Sequence, residues 1–340
     1  MRTLGPKRSL SPGYSPCINA RISAKYSRPR HQRKEASCYF YSGCQGRKSA
    51  SLFVLYSSAS VSYSVLMDAL TRNNVTVTGA GQQAMVFVHG FGCDQHMWRL
   101  VAPAFEARYQ VVMLDLVGAG FSDLTAYNPE RYSALSAHAE DVLEVIRALQ
   151  LRDVVLVGHS VSATISMLAA IQDTALIGRL VLVAPSPRFL NDAATGYVGG
   201  FEQADIGELL DAMDSNYLGW SGAITPVIMG NPERPELTEE LNNSFCRTDP
   251  TIARHFARVT FLGDHRAVLP QVHQPALILQ CAQDTLAPLS VGQYLQQHLP
   301  NNQLVIIETS GHCPHLSAPE PTIAAIESFL APAPVAYERA

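Results

Sequence analysis

The sequence predicts a three-layer α/β sandwich, a mostly parallel β-sheet covered by helices on both faces. Three observations carry that expectation. From Met67 onward, short β-branched runs alternate with longer stretches of helical spacing, the pattern of a parallel sheet with crossover helices. The strand-like runs are continuously apolar, as strands buried on both faces must be. Between about Arg188 and Leu269 the alternation stops, and several short helical patterns separated by Gly, Pro and Asn take its place.

Taken in order, residues 85–88, 111–114, 154–157, 180–183, 276–279 and 304–307 are expected as strands. Residues 97–105, 136–149, 162–171, 291–299 and 323–330 are expected as helices. The core then comprises residues 67–187 and 270–331, and residues 188–269 form a helical insertion. An insertion placed before the last two strands lies over the C-terminal ends of the strands, where open α/β sheets bind ligands. It is read as a cap.

Charge is divided unevenly along the 340 residues. Residues 1–66 hold 11 of the 25 Lys and Arg against the single acid Glu35, a formal +10, while the remainder has 14 bases against 28 acids, a formal −14. So acidic a body argues against nucleic-acid binding, which needs clustered Lys and Arg. The basic, Ser-rich segment 1–66 has no pattern that could pack. It is read as a disordered tail or as sequence upstream of a natural start at Met67, with an organelle transit peptide as the compositional alternative. No apolar run reaches the length a membrane helix needs, so no membrane association is expected. Seven cysteines without regular spacing are read as free thiols in a reducing compartment, which points to the cytoplasm.

The chemistry is concentrated at three strand ends. Val154-Val-Leu-Val runs into Gly158-His159-Ser160-Val161-Ser162 and then into a helical pattern. This is a nucleophile elbow in its required context, although the usual last residue is Gly and here it is Ser162. A serine hydroxyl needs a base within hydrogen-bond reach and a carboxylate to orient that base. Asp284 follows the strand at 276–279 and His312 follows the strand at 304–307, so the chain order is Ser, Asp, His. Ser160 is therefore the expected nucleophile, His312 the base and Asp284 the orienting acid. The turn His89-Gly90-Phe91-Gly92 follows the first strand, and the backbone N–H groups of Phe91 and Val161 are the expected oxyanion hole. His89 is expected to pin that loop. Asp115-Leu-Val-Gly118-Ala-Gly120-Phe-Ser122 lacks the spacing of a phosphate loop. His312, Cys313 and His315 lack a fourth ligand cluster, so no metal and no cofactor are expected.

Together these motifs resemble the α/β-hydrolase superfamily. A narrower likeness rests on His89-Gly-Phe-Gly-Cys-Asp-Gln95, Gly158-His-Ser-Val-Ser-Ala163, Ser186-Pro-Arg-Phe-Leu-Asn-Asp192, Gly199-Gly-Phe-Glu202, Ser215-Asn-Tyr217 with Trp220, and Gly311-His-Cys-Pro-His-Leu-Ser317. These look like the RsbQ-type bacterial stress-signalling hydrolases, with the plant strigolactone and karrikin receptors in the same branch. The resemblance implies a four-helix cap over a small apolar cavity, a small hydrophobic ester or lactone as ligand, slow hydrolysis, and a role in sensing. In the bacterial branch it also implies a partner, a serine/threonine protein phosphatase that controls a sigma factor. Phe91, Val161, Phe189, Trp220 and Phe261 are expected to line the cavity, with plain packing of the cap as the alternative for each aromatic. Two other readings stay open: an ordinary metabolic esterase, lactonase or cofactor-free peroxidase-like enzyme, and a binding protein whose triad is inert.

Overall fold

The computed structural model describes residues 68–331; the expectations for residues 1–66 lie outside them. Seven strands form one sheet in the order β1-β3-β2-β4-β5-β6-β7, where β1 is Thr76–Thr78, β2 Gln83–Val88, β3 Tyr109–Leu114, β4 Val154–His159, β5 Ile177–Val183, β6 Ala276–Gln283 and β7 Asn302–Ser310. Only β1 runs antiparallel. This edge strand has the sequence Thr-Val-Thr and is largely exposed, so no apolar run announces it.

Side chains that alternate along the central strands separate into two layers, as a period of two requires. On one face Val86, Val88, Leu156, Leu182 and Ile278 join a core with α1 (Leu135–Ala148), α2 (Val161–Gln172) and α7 (Leu289–His298). On the other, Phe87, Val155, Val157, Val183 and Leu279 pack against Trp98, Phe105 and Ile326 of α8 (Pro319–Leu330). Each such side chain contributes about 1.5–3 kcal/mol by leaving water.

The helix expected at residues 97–105 is instead two 3₁₀ turns, Gln95–Trp98 and Ala102–Phe105. Pro103 has no N–H to continue a helix, and its ring would meet the carbonyl of Arg99. The apolar spacing was real, since Met97, Trp98 and Phe105 are all buried.

Between β5 and β6 stand four helices: α3 (Gln203–Ser215), α4 (Tyr217–Met229), α5 (Pro235–Arg247) and α6 (Pro250–Leu262). Each start is chemically marked. Glu202 and Asp205 form a capping box on α3, Asn216 caps α4, Asp249 accepts from Thr251 and Ile252 N–H on α6, and α5 and α6 open on proline. Their inner faces form a separate apolar cluster with Cys93, Met97, Leu286, Cys313 and Leu316 of the core. Among the described residues, no helix is long and apolar enough to cross a membrane.

Candidate active site

Ser160 stands at the turn between β4 and α2 with φ 56° and ψ −122°, a left-handed conformation that costs a non-glycine residue about 1–3 kcal/mol. The surrounding contacts hold it there. Its N–H donates to Val183 O at 2.8 Å. Gly158 has to be small, because a Cβ would lie 2.2 Å from Ser162 O. Ser162, the departure from the usual glycine, donates its hydroxyl to His89 O at 2.5 Å and so ties the elbow to the loop after β2.

Parallel strands bring three loop residues together at one edge of the sheet. His312 Nε2 lies 2.7 Å from Ser160 Oγ, and His312 Nδ1 lies 2.7 Å from Asp284 Oδ2. The other Asp284 oxygen accepts from Leu286 N–H at 2.9 Å and Ala287 N–H at 3.0 Å. That arrangement assigns the imidazole proton to Nδ1 and leaves Nε2 free to accept from the serine. All three residues are buried.

His312 is also held through its main chain. Its N–H donates to Ile228 O at 2.8 Å, in the last turn of cap helix α4. Its carbonyl accepts from His159 Nε2 at 2.8 Å. Gly311, at φ +85°, permits this approach, since a Cβ there would lie 1.9 Å from Met229 O.

The loop His89-Gly-Phe-Gly lies directly against the elbow. A Cβ on Gly90 would sit 2.5 Å from His159 Nδ1 and 3.3 Å from Ser160 Cβ. His89 Nδ1 lies 2.8 Å from Gly90 O, and Nε2 accepts from Leu116 N–H at 3.0 Å, so the ring clamps two loops. Val161 is the first residue of α2, where backbone N–H groups lack helical partners. Among the described residues, neither the Val161 nor the Phe91 N–H has an acceptor. In the Asp115 loop the amides serve a structural end: the carboxylate takes Gln95 N–H at 2.8 Å and Phe121 N–H at 2.9 Å.

A narrow cavity opens on Ser160 and His312, with about 520 Å³ of atom-free space including its mouth. Phe91, Phe189, Trp220 and Phe261 are among the residues that line it, and Phe91 and Phe189 meet the Phe261 ring edge to face, with centroids 5.8 Å and 5.0 Å away. Val161 does not line it. As the first residue of α2 it is buried in the core cluster with Val88, Leu156 and Ile165.

The sequence signature of the alpha/beta hydrolase family matches residues 85–325. The chain belongs to the α/β-hydrolase family. It is similar to "Karrikin insensitive 2 receptor CA" of Petunia hybrida, 38% identical over 252 residues that cover 74% of this chain and 93% of that one. It is likewise 38% identical to "Strigolactone esterase D14" of Arabidopsis thaliana over 247 residues, covering 72% and 91% of the two chains. Among solved structures, a hydrolase from Oleispira antarctica superposes with a TM-score of 0.76 at 42% identity, covering 78% of this chain and 96% of the other. The present chain is an enzyme of this family.

Three features of this α/β hydrolase escape a reading of motifs. Phe245 and Leu241 add to the cavity wall from α5, where their spacing of four marks a buried helix face without telling cavity from core. Gly92, at φ +70°, leaves room for Phe245, whose ring carbons would come within 2.4 Å of a Cβ. Beneath His312, His159 and His315 are fully buried. Burial pushes His159 well below the usual histidine range and His315 down to about 3, so both stay neutral. The ligating atoms of His159, Cys313 and His315 lie within 4.8 Å of one another. His159 Nε2, however, is engaged by His312 O at 2.8 Å, so this nitrogen ties two loops together. Burial also pushes the Cys93 and Cys313 thiols up, so these cavity sulfurs stay protonated and are weak nucleophiles.

Proposed function

We propose that this protein is a serine esterase or lactonase acting slowly on a small hydrophobic substrate, in a ligand-sensing role with a protein partner. The observation that carries the reading is the unbroken Ser160–His312–Asp284 chain opening on a capped apolar cavity. Ser160 Oγ attacks the ester carbonyl carbon while its proton passes to His312 Nε2, and Asp284 stabilises the imidazolium. The carbonyl oxygen becomes an oxyanion held by the N–H groups of Phe91 and Val161. Collapse expels the alcohol, which takes the proton from His312, and leaves an acyl-serine. Water, deprotonated by His312, then releases the acid and restores the hydroxyl. A cavity without a charged wall residue, apart from the catalytic histidine during turnover, favours uncharged ligands.

The sensing role is supported by similarity to proteins named as receptors as well as to one named an esterase. The finer reading, stress signalling through a serine/threonine phosphatase, rests on the motif likeness alone. A cytoplasmic location is supported by Cys93, Cys281 and Cys313, which form no disulfide among the described residues. A metabolic esterase on the same scaffold is the competing reading, favoured by similarity to a relative named "Pimeloyl-[acyl-carrier protein] methyl ester esterase".

Turnover of 4-nitrophenyl acetate by the full chain and its Ser160→Ala variant, with burst and steady phases resolved, separates them. A Ser160-dependent burst followed by slow turnover is expected. Fast steady turnover points to the metabolic esterase, and absence of any Ser160-dependent signal sinks both catalytic readings.

A further inference from the structure

The last turn of α6 carries Thr260, which lines the cavity and is only 4% exposed. Its hydroxyl is shielded from solvent and has no hydrogen-bond partner. A threonine inside a helix ordinarily donates to the carbonyl four residues back. Thr225 and Thr322 do so, to Ser221 O at 2.9 Å and Ala318 O at 2.8 Å. Thr260 forgoes that bond and stands in the cavity wall instead.

An unmet buried hydroxyl costs about 1–3 kcal/mol, and an unused donor is tolerated less readily than an unused lone pair. The hydroxyl is therefore poised for an acceptor that arrives with the ligand. Ser160 and His312 are committed to each other and His159 Nε2 to His312 O, and Thr260 is the one hydroxyl of the cavity lining besides Ser160.

We propose that Thr260 selects the substrate by donating a hydrogen bond to a second oxygen, an ether or carbonyl remote from the scissile ester. The preferred substrate class is then a compact, uncharged ester or lactone carrying such an oxygen on an otherwise apolar body. This rests on the esterase reading for its substrate but on the cavity alone for its binding.

The test uses binding, so that it does not depend on turnover. In full-length Ser160→Ala protein, the dissociation constants of 3- and 4-methoxyphenyl acetate are compared with those of 3- and 4-ethylphenyl acetate by quenching of tryptophan emission. The ethyl esters match the methoxy esters in shape with a methylene in place of the oxygen, and Trp220 in the wall reports occupancy. One methoxy ester is expected to bind about fivefold more tightly than its ethyl counterpart, the size of one neutral hydrogen bond. Thr260→Val should erase the gap and Thr260→Ser should keep it. The absence of a gap, its survival in Thr260→Val, or failure of every ester to bind overturns the proposal. A missing Ser160-dependent burst, with the gap intact, would overturn the esterase reading and leave this one standing.

Discussion

The floor and the roof of the cavity are built on different physical terms. In the floor, position is fixed by hydrogen bonds and strained backbone: Ser160 at positive φ, Asp284 held by two amides, His312 gripped at N–H, carbonyl and ring. In the roof, aromatic and aliphatic side chains pack with little polar guidance, as in Phe91 against Phe245 at 5.7 Å and Trp220 against Phe245 at 5.8 Å. A floor of this kind tolerates almost no displacement, whereas a roof of this kind repacks at modest cost. Damage to the floor should thus appear in kcat, and damage to the roof in KM and stability.

The sharpest test of this contrast is Ser160→Ala. Turnover of 4-nitrophenyl acetate should fall by about 10⁴-fold or more while the thermal midpoint hardly moves. A variant that melts early would mean that the elbow also carries stability. Next in size is Phe245→Ala in the roof, which should cost about 3–5 kcal/mol in urea unfolding and raise KM with kcat nearly kept. A collapse of kcat there would blur the division. Gly311→Ala, which pushes a Cβ against the end of α4, should lower kcat about 10²-fold with a smaller change in KM.

A separate test concerns acid. His138 and His315 are buried and held neutral, each pushed down to about 3, first by burial and then by neighbouring positive charge. Their unfolded forms titrate near pH 6.5, so between the two values the unfolded chain binds more protons. Stability conferred by these histidines is full above pH 6.5 and declines as pH falls, by about 1.4 kcal/mol per pH unit for each. Urea midpoints measured between pH 7.5 and 5 should decrease, and Thr or Phe at His138 should flatten the slope. His138 lies against Tyr132 and Phe256, with ring centroids at 4.6 and 4.9 Å, so this loss would begin where core and cap meet.

The same contrast explains what could be read from the sequence. The floor was legible because its chemistry needs particular residue types at strand ends in a fixed order, as Ser160, Asp284 and His312 show. The roof was legible only as helices. Val161 is expected in the wall along with the cavity the family likeness implies, but the first turn of α2 places its side chain in the core. Phe245 and Thr260 carry no local signal, since an apolar face and a helical threonine look alike whether they border a cavity or solid packing. β1 was invisible because an edge strand needs no apolar run. His159, to which the elbow motif assigns no role, holds the His312 carbonyl from 153 positions away in sequence. Such pairings depend on the closed fold and leave no trace in spacing.

The bond from His312 N–H to Ile228 O makes the insertion something other than a lid added to a finished enzyme. Part of the scaffolding of the base belongs to the cap, so the α/β core is not a self-sufficient module. Transplanting a foreign cap to change ligand preference would have to bring along a helix ending in a carbonyl at the position of Ile228, followed by a glycine like Gly230 to turn the chain away. A graft chosen for its apolar lining alone would deliver a well-shaped pocket above a histidine that no longer points at its serine.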